Sequence, residues 1–175
     1  EQKVNSTNPR STVGTSTEVY DYLKLLFARI GRTYSPKSGQ EVKKDTVADV
    51  VKHISNYEER TKLLLLSPFL IEKGRTLEEK LNVLLQQGYS RILVDGDVQR
   101  IDEANLPKKP KDLFLVVDRI ITKNDEDYLN RLADSIQTSF YEGKGELFIE
   151  ELDTNKRYHF SNKFELDGIS FLEPN

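Results

Sequence analysis

KLLLLSPF, residues 62–69, is the stretch on which the reading of the fold turns. The apolar run is far too short to span a bilayer, and Pro68 ends it. A short apolar run closed by a breaker reads as a buried strand. The next segment opens on Thr76 with Glu79 three residues later, a capping box in which hydroxyl and carboxylate satisfy free N–H groups. The helix it starts carries Leu77, Leu81, Leu84 and Leu85 on one face and stops at Gly88. A second strand, SRILVD at 90–95, follows. Strand, helix and strand with short loops make a βαβ unit, which predicts two parallel strands joined by a right-handed crossover.

Working outward, Asp95-Gly96 supplies a hairpin turn, with DVQRI returning as the next strand. NLPKKPKD at 105–112 is a basic loop, and LFLVVDRIIT at 113–122 is the most strand-like stretch of the chain. Asn124 or Asp125 caps a last helix whose buried side holds Leu129, Leu132, Ala133, Ile136 and Phe140 and which ends at Gly143. GELFIEELDTNKRYHFS at 145–161 reads as a final hairpin. Upstream, residues 1–14 are polar, without period, and read as an extended arm. The run Thr15-Ser16-Thr17-Glu18 gives another capping box. The helix it opens runs to about Ile30, with Val19, Leu23, Leu26, Phe27 and Ile30 as its stripe and Gly31 as a left-handed stop. Asp45 is placed to cap a further helix bearing Val47, Val50, Val51 and Ile54 on one face. The fold class that results is α+β, or mixed α/β: a single mixed sheet of five or six strands with helices packed on it.

Composition narrows the function. With 31% charged and 37% hydrophobic residues the chain reads as a globular protein, and no signal peptide is visible. It has no cysteine, which excludes disulfides and thiolate metal sites and suits a cytoplasmic setting. A net charge of -3 gives no overall bias towards DNA or acidic membranes. There is no methionine, at position 1 or elsewhere, and GISFLEPN closes the chain without a cap or polar tail. It therefore reads as a segment of a longer protein.

Few residues suggest catalysis. EGKGE at 142–146 lacks the spacing of a P-loop. His53 falls in a helix and His159 in a strand, each as an ordinary residue, and no Ser-His-Asp set assembles locally. Asp45 with Asp49, and Glu150 with Glu151 and Asp153, read as a cap and a polar turn, since neither follows the grammar of a metal loop. Arg91 and Arg119 stand out, each in an otherwise apolar strand. A guanidinium on a sheet face can clamp a partner's carboxylate. The plainer alternative is an internal salt bridge, for instance Arg91 with Asp95 on the same strand face. From the residues alone the chain is a binding module more readily than an enzyme.

Three stretches carry a resemblance. EQKVNSTNPRSTVGTSTEVYDYLKLLFARIGR (1–32), LEEKLNVLLQQGYSRILVDG (77–96) and LVVDRIITKNDEDYLNRLADSIQTSF (115–140) resemble the UvrA family of the excinuclease ABC system, and FSNKFELDGISFLEPN (160–175) looks like the exit from that family's UvrB-binding domain. The resemblance implies a parent that is an ABC-type ATPase of nucleotide excision repair, dimeric, DNA-probing, and loading UvrB at lesions. It implies an arm and helix over 1–31, the UvrB-binding interaction domain over 32–164, and an exit segment over 165–175. UvrB is the implied partner, and in some bacteria the transcription-repair coupling factor docks on the same surface. Arg91, after the GY of its strand, and Arg119, in VVDR, match the family's docking arginines; Lys109 and Lys111 extend the basic patch with less support. Gln2 matches the Q-loop glutamine, which does no nucleotide chemistry outside its domain. ATP and DNA are expected to bind elsewhere in the parent. Direct nucleic-acid contact by this segment is the competing reading.

The family resemblance also exposes a departure. Many members have C-P-x-[CH] where this chain has Ser35-Pro36-Lys37-Ser38, and Cys-x-x-Cys shortly after FSNKF, where this chain has ELDG at 165–168. Hydroxyls are poor zinc ligands beside thiolate and imidazole. The segment is expected to hold no metal, keeping the turns through Pro36 and Gly39, with zinc only elsewhere in the parent.

Overall fold

The computed structural model describes residues 19–71, 74–103 and 110–172. The arm at 1–14, Gln2, the Thr15–Glu18 capping box, Lys108 and Lys109 lie outside them. The chain divides into two compact units: residues 44–163, and residues 1–43 together with 164–175.

Residues 44–163 form a six-stranded sheet around the four-leucine strand. That strand, β1 (Lys62–Pro68), buries Leu63, Leu64, Leu65 and Leu66 completely. Burying one such side chain contributes about 1.5–3 kcal/mol, so this tetrapeptide anchors the domain. The other strands are β2 (Arg91–Val94), β3 (Asp97–Arg100), β4 (Leu113–Ile121), β5 (Glu146–Glu151) and β6 (Arg157–Ser161), in the order β3-β2-β4-β1-β5-β6. Every neighbouring pair is antiparallel. This corrects the βαβ expectation. β1 and β2 do point the same way, but β4 lies between them and bonds to both, so the mixed sheet is an antiparallel one.

α1 (Val19–Ile30) belongs to the smaller unit, whereas α2 (Val47–Ile54), α3 (Leu77–Gln86) and α4 (Glu126–Glu142) belong to the larger. Val50 and Ile54 of α2 join Leu132, Ile136 and Phe140 of α4 over Leu63, Leu65, Ile120, Leu147 and Ile149. Leu84 of α3 packs with Ile92, Val94 and Leu115. The register puts these strand residues on one face: Ile92 pairs with Leu115, Leu115 with Ser67, and Leu65 with Ile149. Ser67, buried, donates to the Ser139 carbonyl of α4 at 2.7 Å. The opposite face carries a separate cluster of Leu64, Leu66, Leu93, Phe114 and Val116, with Phe148 and Leu152, to which no described helix contributes.

Caps follow the local chemistry. Thr76 with Glu79 closes its capping box, and Asp125 caps α4 through the Tyr128 N–H. At α2 the cap is Thr46 with Asp49, not Asp45. Asp45 is used differently. Its N–H donates to the Ser161 carbonyl at 2.7 Å, and its carboxylate accepts the Ser161 N–H at 2.8 Å. Gly88 has φ +93, as a helix stop in the left-handed region requires. Gly31 is different: it stays out of that region, and a Cβ there would meet the Phe27 carbonyl oxygen at 2.3 Å. Close approach is thus what requires glycine at this stop.

In the smaller unit, α1 has no buried residue. A two-residue hairpin, β7 (Glu165–Leu166) and β8 (Ile169–Ser170), turns on Asp167 and Gly168, both with positive φ. The Ser35 and Ser38 hydroxyls both donate to one Asp167 carboxylate oxygen, and Lys37 Nζ donates to the Asp167 carbonyl at 3.0 Å. The SPKS turn and the ELDG turn are therefore held by a carboxylate between two hydroxyls. That donor set, without thiolate or imidazole, does not fit structural zinc.

Those hydroxyls, with the Lys37 ammonium nearby, hold the Asp167 carboxyl below the ordinary carboxylate range. A depressed folded-state pKa contributes stability above the unfolded value, near 3.9, that is lost as pH falls through the folded one. Asp167→Asn keeps the positive φ that Asn tolerates. The wild-type hairpin is expected to loosen on acidification below about pH 4, and the Asn variant to be loose at neutral pH with no further acid transition. Chemical shifts of the Ser38 and Gly168 amides, followed from neutral to acid pH, decide this. An Asp167→Asn profile that still tracks wild type would remove the carboxylate from the account.

Candidate partner-docking site

β4 positions the candidate arginines. It is nine residues long, but β2 pairs only with Leu113, Phe114 and Leu115. Beyond Leu115 the two strands part. A β-bulge follows, since Leu66 opposes Val116 while Leu65 opposes Asp118, leaving Val117 as the extra residue. Its side chain packs in the Leu84 cluster. The bulge also resets the alternation, so that Arg119, opposite Leu64, falls on the helix-free face. Arg91 lies two residues before Leu93, whose partner is Phe114, and so shares that face.

The structure brings Arg91 and Arg119 together. Both line a concavity of about 160 Å³ where β2 and β4 diverge, with Tyr89, Ser90, Val117 and Asp118. Both are exposed, and among the described residues neither guanidinium has an ion-pair or hydrogen-bond partner. The internal pair of Arg91 with Asp95 does not form. Asp95 leaves the strand at φ +50, and its carboxylate accepts the N–H groups of Lys111 and Asp112 at 2.9 Å each. Lys111 is exposed and enters this turn through its backbone. Asp118, adjacent to Arg119, is also engaged elsewhere. It accepts from Arg131 Nη2 at 3.1 Å and from the Ser135 hydroxyl at 2.7 Å, both on α4.

A second concavity of about 380 Å³ begins on the other side of Arg119, where the end of β4 meets the start of α4. Ile121, Lys123, Tyr128 and Arg131 line it, together with Asp125 and Asp127. Sequence reading missed this site. Its signal, an exposed isoleucine two residues beyond Arg119 and a cation at Lys123, lay at the end of the strand itself.

The other candidates stay apart. His53 of α2 packs among Tyr57, Tyr158 and Phe160, and burial lowers its pKa. His159 stacks on Phe148 at 4.5 Å, 3.6 Å from Glu146. Glu150, almost fully buried, is bound by Arg157 at 2.6 Å; Arg157 also meets Asp112 at 3.0 Å and lies over the Phe114 ring. Glu151 accepts from Thr154. Among the described residues, no three His, Cys, Asp or Glu side chains gather as a metal-binding group, and no helix is long and apolar enough to cross a membrane.

Known proteins resemble this chain over most of its length. UvrABC system protein A of Rickettsia felis is 40% identical over 186 residues, covering 98% of this chain and 19% of that protein. The Helicobacter pylori protein of the same name is 39% identical over 166 residues, covering 92% and 18%, and that of Bacillus subtilis 40% over 152 residues, covering 86% and 16%. The chain thus spans less than a fifth of the length of these relatives. Residues 45–153 match the family described as the UvrA interaction domain, and the chain belongs to that family.

Proposed function

We propose that this chain is the module through which a UvrA protein of nucleotide excision repair docks UvrB, with Arg91 and Arg119 as its contacts to UvrB carboxylates. The observation that carries the reading is the pair of guanidiniums, unpartnered among the described residues, on the two walls of one concavity. A partner carboxylate seated there would receive charge-assisted, bidentate hydrogen bonds without breaking any bond inside the domain. Such pairs steer association and set specificity more than they supply raw affinity. Lys111, and Lys109 outside the described residues, add positive charge at the margin. The transcription-repair coupling factor would use the same arginines and compete with UvrB. ATP binding and hydrolysis, DNA contact and dimerisation are assigned to other parts of the parent, and this segment works by docking rather than catalysis.

Calorimetric titration of the chain with UvrB tests the reading. Saturable binding is expected, weakening as ionic strength rises because exposed charges are screened. Absence of binding at low salt, with circular dichroism confirming a folded domain, overturns it.

A further inference from the structure

β4 has an open edge. Past Leu115 it has β1 on one side and, among the described residues, no strand on the other. The direction of its backbone groups follows from its neighbours. The Lys62 carbonyl accepts the Leu152 N–H and so faces β5. Ile121, opposite Lys62, is therefore a non-hydrogen-bonded pair on the β4 side. Thr122 confirms the phase, donating to the Thr61 carbonyl and accepting from the Arg60 N–H. By alternation the N–H and C=O of Ile121 and of Arg119 point out of the sheet edge. The Arg119 N–H is already taken by its neighbour's carboxylate, Asp118 Oδ1, at 2.7 Å. The Ile121 groups and the Arg119 carbonyl remain directed outward.

This edge runs between the two concavities, which share Arg119 as a wall. The first holds the guanidiniums of Arg91 and Arg119; the second, further along the strand, holds the exposed Ile121 with Tyr128 and Lys123, and Asp125 and Asp127 at its margin. Unpaired strand edges are templates for a further strand, in which backbone bonds give affinity and side-chain pockets give specificity. We infer that the docking partner adds an extended acidic segment to the open edge of β4, bonding the Ile121 backbone, presenting carboxylates to Arg91 and Arg119, and placing an apolar side chain against Ile121 and Tyr128. The inference rests on the docking reading above and names the form of the ligand.

Two measurements on the chain with UvrB test it. In the complex, hydrogen exchange at the Ile121 amide is expected to slow at least about tenfold, with cross-strand nuclear Overhauser contacts from that amide to UvrB backbone protons. Ile121→Pro removes an N–H that the sheet does not use, a position where an edge strand tolerates proline. It is expected to weaken UvrB binding about tenfold more than Ile121→Ala, which removes the side chain alone. If UvrB binds while the Ile121 amide exchanges at its free rate without Overhauser contacts, strand addition is wrong and docking stands. A folded Ile121→Pro variant that binds as Ile121→Ala does overturns strand addition in the same way. Should Ile121→Pro not fold, the exchange and Overhauser data decide alone. If UvrB does not bind the wild-type chain, both readings fall.

Discussion

The Arg91→Glu, Arg119→Glu double variant is expected to fold as the wild type does and to bind UvrB at least about a hundredfold more weakly. Folding is preserved because both side chains are exposed and, among the described residues, give up no ion pair when replaced. Binding is lost for two reasons that add. Each replacement removes a bidentate donor, and each sets a carboxylate against a carboxylate, a juxtaposition that costs several kcal/mol in an interface. The reversed charge at position 119 also lies beside Asp118, so the concavity's described lining keeps no cation and gains carboxylates. Single reversals should fall between the two extremes. Because the arginines share one concavity, their effects should not simply add. Calorimetry with circular dichroism on the same samples checks this. A folded double variant that binds as well as wild type would refute the assignment of these two residues while leaving family membership untouched.

The second large effect concerns stability. Arg157→Leu is expected to destabilise the domain by about 3–5 kcal/mol, the usual consequence of stranding a buried charge. The charge is that of Glu150, whose side chain is 6% exposed and whose carboxylate receives both Nε and Nη2 of Arg157, at 2.8 and 2.6 Å. The Asp112 pair adds little by comparison, because Asp112 is half exposed. Replacing both partners with apolar residues, Glu150→Leu with Arg157→Leu, should recover most of the loss, since no charge then remains in the interior. Urea denaturation of the three proteins measures this. If Arg157→Leu unfolds at the wild-type midpoint, Glu150 is solvated in a way its burial does not describe.

The local elements were legible because local chemistry specifies them. Thr76 and Glu79, Asp125, the four leucines and the Asp95-Gly96 turn each act within a few residues of themselves, and each does in the structure what its type requires. The order of strands was not, because pairing is a property of the whole sheet. A run such as ILV fits equally well beside β1 or one strand away, and it is the longer apolar β4 that takes the place between β1 and β2. The β7–β8 hairpin could have been found. Asp167-Gly168 between Leu166 and Ile169 carries the same turn signal as Asp95-Gly96.

At the candidate site, the two arginines stood out as charges in apolar strands and matched the family's docking arginines, but their proximity was not legible. It depends on the bulge at Val117 and on β2 ending early. The rival pairing of Arg91 with Asp95 looked reasonable because strand alternation puts them on one face. It failed because Asp95 serves the turn, where two backbone N–H groups claim its carboxylate.

The Asp45–Ser161 bridge bears on how such a domain travels between proteins. Two hydrogen bonds, 2.7 and 2.8 Å long, fasten the first residues of the 44–163 unit to its last strand. A polypeptide carrying this unit would meet it as a short loop whose two stems leave side by side. The entropy of closing a long insertion is met by the unit's own folding rather than by its host. Such a cassette can be spliced into a surface turn, or cut out of one, without asking the surrounding architecture to move.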